Sequence, residues 1–300
     1  MAKPRTSPPG ARRLRPGAPL RFRPRLPGRT WADVLEERPE GGRLRAVRRL
    51  ACVVLFTLLA MPVQAALLAL PGRGKDRFPR FYHRTLLRLI GMKLQVQGTA
   101  SAARPTLFVS NHSSWLDILV LGAVLDARFV SKAEVGAWPL VGWVARLGRT
   151  VFVSRSRGRT GAEAEAMRAR LAGGESIILF PEGTTSDGAR VLPFRSSFFA
   201  VAGAAAAVQP VTVVYDRLGG LPVGRKDRPL FAWYGDMETA SHAWRLLRRS
   251  GTRATVALGA PFAPAGMPDR KAMAAEVGRR VTATAAALRQ NRPLPARDAA

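Results

Sequence analysis

Residues 106–117 read Thr-Leu-Phe-Val-Ser-Asn-His-Ser-Ser-Trp-Leu-Asp. The first five are a short apolar run, the length of a strand buried on both faces. Asn111, Ser113 and Ser114 interrupt it, and apolar residues then resume at helical spacing through Leu125. A buried strand that turns straight into a helix is the opening of a βα unit, and the pattern repeats downstream. Phe129 and Val130 predict a short strand, Trp138–Leu147 a helix and Thr150–Val153 another strand. Thr160 and Glu163 make a capping box for a helix with Ala164, Met167 and Leu171 on its apolar side, stopped by Gly173-Gly174. Ser176–Phe180, Val208–Val214 and Ala254–Leu258 predict further strands, and Ala272–Leu288 a closing amphipathic helix. The predicted fold is α/β: a mixed, largely parallel sheet flanked by helices, over residues 99–290, with a short tail at 291–300.

Upstream the character changes. Residues 50–70, LACVVLFTLLAMPVQAALLAL, carry no charge, and a straight helix of that length covers roughly 30 Å, the thickness of a bilayer core. Pro62 predicts a kink, and Gln64 an amide that hydrocarbon does not accept. Both flanks are basic, with Arg45, Arg48 and Arg49 before the run and Arg73, Lys75, Arg77 and Arg80 after it. Orientation is therefore not set by charge, and a kinked or re-entrant anchor fits as well as a span. From Phe78 to Met92, Arg80, Arg84 and Arg88 recur every four residues among apolar side chains, as on an interfacial helix. Residues 46–98 are read as a membrane-associated helical anchor; a buried core helix followed by an amphipathic surface helix is the structural alternative.

Composition bounds the rest. The 300 residues are 47% hydrophobic, so a wholly disordered chain is excluded. The single cysteine, Cys52, excludes a disulfide framework and any multi-cysteine metal site. Charge is the outlier, at +28, which points to nucleic acid or to an anionic membrane surface. Residues 1–45 read as a solvated basic tail broken by proline, either an aid to solubility or an electrostatic tether to anionic lipid. This tail is not a secretory signal, because the apolar run starts too far in. Neither a zinc-finger spacing, an RNP-type aromatic motif nor a Walker lysine loop is present, so no nucleic acid is expected as a partner.

Reactive groups in an open α/β sheet gather past the C-terminal ends of strands, and two polar clusters sit there. In the first, His112 and Asp117 are spaced to form a base and its orienter. The same residues also read as an N-cap region, with Asp117 a first-turn dipole partner and His112 a loop residue. The second cluster is Phe180-Pro181-Glu182-Gly183-Thr184-Thr185-Ser186-Asp187-Gly188. Gly183 permits close backbone approach, Thr184, Thr185 and Ser186 offer donors, and Glu182 offers an acceptor; a plain polar turn has the same composition.

Together, His-x4-Asp and Phe-Pro-Glu-Gly-Thr about 70 residues later resemble the glycerolipid acyltransferases, specifically the 1-acylglycerol-3-phosphate (lysophosphatidate) acyltransferase family. Ser131-Lys132-Ala133-Glu134 with Trp138–Trp143, Thr150–Arg155, and Val208-Gln209-Pro210-Val211 resemble further blocks in the family's order. The resemblance covers about residues 80 to 265. It implies acyl transfer without a covalent enzyme intermediate, from acyl-CoA or acyl carrier protein to the free hydroxyl of 1-acylglycerol-3-phosphate, giving phosphatidate. By the same resemblance His112 deprotonates the hydroxyl and Asp117 orients the ring. Glu182, Gly183, Thr184, Thr185 and Ser186 bind the acceptor, Arg155 lies near its phosphate, and Lys132 is a second cation. Neither a metal nor a cofactor is required, and the enzyme is expected on the cytoplasmic face of the cell membrane. Moving a sixteen-carbon chain into water costs about 12 kcal/mol at ~0.8 per methylene, so a membrane seat suits such chemistry.

Three positions depart from the family pattern. Thr185 stands where arginine is common, which removes a bidentate phosphate contact unless Arg190 or Arg195 replaces it. Arg149 and Ser154 replace the usual glycine and acidic residues. These departures leave a second acceptor open, a lysolipid with another headgroup such as lyso-ornithine lipid.

Overall fold

The computed structural model describes residues 42–132, 136–138, 140–153 and 160–294. The basic tail through Gly41 lies outside the described residues. Two helices open the structure, α1 (Arg43–Ala69) and α2 (Gly74–Ile90). Strands β1 (Met92–Gln97) and β2 (Thr106–Ser110), helix α3 (Leu116–Val124), β3 (Arg128–Lys132), α4 (Val141–Leu147), β4 (Val151–Val153), α5 (Thr160–Ala172) and β5 (Ile177–Leu179) follow. A 3-10 segment (Ser196–Ala204) leads into β6 (Ala207–Leu218), β7 (Leu221–Pro222), α6 (Thr239–Leu247), β8 (Thr252–Leu258) and α7 (Arg270–Arg289).

The sheet order is β1-β8-β6-β2-β5-β3-β4, with β7 folded back on β6. From β6 to β4 every neighbouring pair is parallel, as the helical crossovers require. Past β6, β8 runs antiparallel and takes β1 as a parallel partner, which makes the sheet mixed. All five residues of β2 are buried. Their alternation splits the core in two: Phe108 joins Leu87, Leu116, Val120 and Leu246 on one face, while Leu107 and Val109 join Met167, Leu171, Met273, Val277 and Val281 on the other. β5 repeats this, Ile178 on the first face and Ile177 and Leu179 on the second.

Helix α1 continues through Pro62 and is long and apolar enough to cross a membrane. One stripe of it, Ala46, Thr57, Ala60 and Gln64, is nevertheless buried against protein. Gln64 Nε2 donates to the carbonyls of Lys75 and Leu147, both at 3.1 Å, so the donor end of the amide that hydrocarbon would refuse has protein partners. At the other end Arg45 and Arg49 donate to the carbonyls of Leu247, Arg248 and Arg249, where α6 ends and its carbonyl oxygens need donors. The opposite stripe leaves Leu50, Val54, Leu55, Leu58, Leu59 and Val63 exposed. Trp138 and Trp143 beside and within α4 are exposed as well.

α2 packs on α3 through an unusually close approach at Gly122, where a Cβ would lie 2.4 Å from the His83 ring. His83 is half-buried in that contact, and the desolvation of its ring pushes its pKa down to about 4, which keeps it neutral. Arg149 takes a left-handed backbone, φ 59°, and its guanidinium pairs with Asp76 and Glu175, which also bind Arg128. The arginine at the family's glycine position thus belongs to an ion-pair network at the N-terminal ends of the parallel strands, away from the end where β2 delivers His112.

Candidate active site

β2 ends in a turn that α3 immediately recaptures. Asn111 fixes the turn to β6, its Nδ2 donating to the Val213 carbonyl at 3.0 Å and its Oδ1 accepting from the Val213 amide at 2.9 Å. Asp117, in the first turn of α3, reaches back over it. Its Oδ2 accepts from the amides of Ser113 (2.7 Å) and Ser114 (2.9 Å) and lies 2.8 Å from His112 Nδ1. Its Oδ1 accepts the hydroxyl of Tyr215, on β6, at 2.6 Å. The carboxylate is fully buried with four donors around it, the condition under which a buried charge is tolerable. An ionised carboxylate only accepts, so the proton sits on Nδ1 and the lone pair of His112 on Nε2. The ring keeps 19% of its surface exposed and stacks on Phe180, centroids 4.1 Å apart and planes 19° apart.

The Glu-Gly-Thr loop meets His112 directly. Glu182 Oε1 accepts the His112 amide at 2.7 Å, and the Ser186 amide donates to the His112 carbonyl at 2.9 Å. Oε2 of Glu182 accepts the Leu192 amide at 2.9 Å. Both of its oxygens are therefore held by backbone, and Glu182 acts as a strut beneath the histidine turn. Burial, reinforced by the Asp117 charge and opposed by the two amide bonds, raises its pKa from the usual carboxylate range to about 7. Between about pH 4.5 and 7 the folded chain then holds a proton that the unfolded chain has released, so stability falls as pH rises through that window. Glu182→Gln cannot ionise and is expected to flatten the fall. Thermal unfolding at pH 5 and pH 8 compares the two; an equally steep decline in the variant would assign the effect to another group.

Gly183 has φ 70°, a conformation that L side chains rarely adopt. A Cβ there would also lie 3.5 Å from the Arg195 guanidinium, which places that cation against the loop. Thr184 is exposed, Thr185 half-buried and Ser186 buried. Arg190 instead lines a recess together with Ser186, Arg228 and Arg289. Lys132 closes β3, but its side chain lies outside the described residues, as do Arg155 and Ser154. Sequence reading missed Tyr215 and Asn111. Tyr215 is 98 residues from Asp117 in the chain, and nothing local singles it out, because Gln209, Thr212, Asp216 and Arg217 also bring polar groups to that strand.

Comparison with known proteins adds three findings. A family model described as Acyltransferase matches residues 93–215, a span that holds His112, Asp117, Glu182 and Tyr215. The chain is 40% identical over 263 residues to the lyso-ornithine lipid O-acyltransferase of Brucella abortus (strain 2308), covering 85% of this chain and 98% of that one. It is 35% identical over 144 residues to the 1-acyl-sn-glycerol-3-phosphate acyltransferase of Neisseria gonorrhoeae, covering 47% and 54%. Among solved structures, the 1-acyl-sn-glycerophosphate acyltransferase from Thermotoga maritima aligns at a TM-score of 0.56 over 80% of this chain and 97% of that one; at 19% identity this is a likeness of fold.

Proposed function

The chain belongs to the acyltransferase family and acts on lysolipids, and from that premise we propose that it esterifies the free hydroxyl of lyso-ornithine lipid with an acyl chain from a thioester donor. The observation that carries the chemistry is the His112–Asp117 pair, with Nε2 as its base. Nε2 takes the hydroxyl proton as the oxygen attacks the thioester carbonyl. The tetrahedral intermediate collapses with cleavage of the C–S bond, and the imidazolium returns its proton to the departing thiolate. The products are an ester and a free thiol. Asp117 holds the tautomer and stabilises the imidazolium. Because the thioester is already activated, positioning and one base suffice. Acyl-CoA or acyl carrier protein is the donor, and both fit the cytoplasmic face, where such thioesters are made.

Two observations favour the ornithine acceptor. The similarity to a protein so named extends over nearly its whole length, whereas that to the glycerophosphate enzyme covers about half. Thr185 also removes a phosphate-binding guanidinium from the loop. Lysophosphatidate is the second reading, favoured by Arg195 lying against Gly183. Purified full-length protein, given each acceptor in mixed vesicles with one donor, separates them. Ornithine lipid is expected at a kcat/KM at least about ten-fold above that for phosphatidate. Phosphatidate alone would overturn the acceptor and leave acyl transfer standing.

Membrane association follows from the apolar stripe of α1. Arg45 and Arg49 near its start and Gln64 near its end all bond to the same domain, about 25 Å apart at 1.5 Å per residue. A helix so tied keeps both ends on one side, so α1 is proposed to lie within one leaflet with its exposed side chains, Leu50, Val54, Leu55, Leu58, Leu59 and Val63, in lipid.

A further inference from the structure

Beside the histidine turn a recess, with Ser186 in its wall, opens between the end of β6, residues 186–190, residues 228–232 and the C-terminal turn of α7. Ser113, the residue after His112, forms part of its wall. Three guanidiniums line it, Arg190, Arg228 and Arg289, from three separate segments of the chain. Asp216 also lines it, but both carboxylate oxygens are committed to Arg253 in a two-bond pair. Arg289 is half-buried and, among the described residues, donates weakly to the Gly188 carbonyl at 3.4 Å. Its burial and the neighbouring Arg228 charge both lower its pKa, and the Asp187 charge opposes them. Two like charges pressed together beside a cavity cost free energy until an anion enters. A β-bulge between Tyr215 and Arg217 turns the end of β6 at this point, so the strand that supplies Tyr215 to Asp117 also shapes the recess.

We propose that this recess is the headgroup subsite for the acceptor, in which Arg228 and Arg289, with Arg190 at the mouth, bind the free carboxylate of the amino-acid headgroup. The assignment rests on the ornithine reading above. Ornithine acylated on its α-amino group by a 3-hydroxyacyl chain keeps that carboxylate a few bonds from the reacting hydroxyl. The recess correspondingly takes Asn111 and Ser113, the two chain neighbours of His112, into its wall. Guanidinium pairs recognise a carboxylate by parallel hydrogen bonds, which a lysine does not reproduce. The subsite would also explain why the loop dispenses with an arginine at 185: the anion is met by arginines from other segments of the chain.

The test compares lyso-ornithine lipid with its carboxyl methyl ester, using the full-length wild type, Arg228→Gln/Arg289→Gln and the exposed-site variant Arg190→Gln. For the free acid, the double variant is expected to lose at least about ten-fold in kcat/KM, mostly through KM. The methyl ester should be comparably poor for the wild type and suffer little further loss in the variant. Lysine at both positions should restore part of the affinity. An unchanged KM in the double variant, or a methyl ester used as well as the acid, overturns the subsite while ornithine acylation stands. If the double variant does not fold, Arg190→Gln carries the test, with a two- to five-fold rise in KM for the acid alone as the supporting result and none as the overturning one. If the wild type acylates only lysophosphatidate, the ornithine reading fails. The same variants on that acceptor then decide whether the recess binds an anion at all: a raised KM supports it, and an unchanged one removes it.

Discussion

His112→Ala is expected to reduce acyl transfer by about 10³-fold or more, at the upper end of what a positioned general base contributes, while membrane association persists. The expectation comes from where the proton can sit. Asp117 takes Nδ1, so Nε2 is the one lone pair the ring can offer, and nothing else at the turn replaces it. Both oxygens of Glu182 are held by amides, and the Asp117 carboxylate is fully buried. The turn itself should survive, because His112 is tied through its backbone, by its amide to Glu182 and its carbonyl to Ser186. The side chain gives up its stacking on Phe180, a modest loss beside the chemical one. Steady-state assays with detergent-solubilised and vesicle-bound protein measure the drop, and flotation with vesicles checks the anchor. Turnover within ten-fold of wild type would remove the base from the mechanism.

What could be read from sequence was what is local. The β2 run is apolar on both faces because β5 and β6 flank it and core lies on either side. His112 and Asp117 are one turn apart, so their spacing already carried the possibility of contact. The strand β1 was not legible as part of the sheet: Met92, Leu94 and Val96 alternate with Lys93, Gln95 and Gln97, an edge strand that borrows its partner from β8, some 160 residues later. The anchor run was legible as apolar, but not that Thr57 and Gln64 face protein, since their partners, Tyr82 and the carbonyls of Lys75 and Leu147, come from other helices. Glu182 was expected at the acceptor; that its two oxygens accept from the amides of His112 and Leu192 was not legible, because backbone partners are not encoded in composition. The recess is assembled from segments nearly 180 residues apart, and no single segment announces it.

The second large effect belongs to Asp117→Asn. Four donors converge on this side chain: His112 Nδ1, two amides and the Tyr215 hydroxyl. An asparagine has one acceptor oxygen, and three of the four donors gather at Oδ2, so the amide oxygen is expected there with Nδ2 toward Tyr215. That arrangement is tolerable because a phenol can turn and accept. The imidazole then keeps its tautomer but loses the negative charge that stabilises it once protonated. A loss of about 10²- to 10³-fold in kcat with little change in KM is expected. Tyr215→Phe leaves Oδ1 buried without a donor, costs about 1–3 kcal/mol of stability, and lowers kcat by about ten-fold or less. If Tyr215 acts through Asp117, the double variant Asp117→Asn/Tyr215→Phe should be no slower than Asp117→Asn alone, a non-additivity typical of residues in one hydrogen-bond network. Effects that multiply would instead mean that the phenol reaches the reacting lipid by a route of its own.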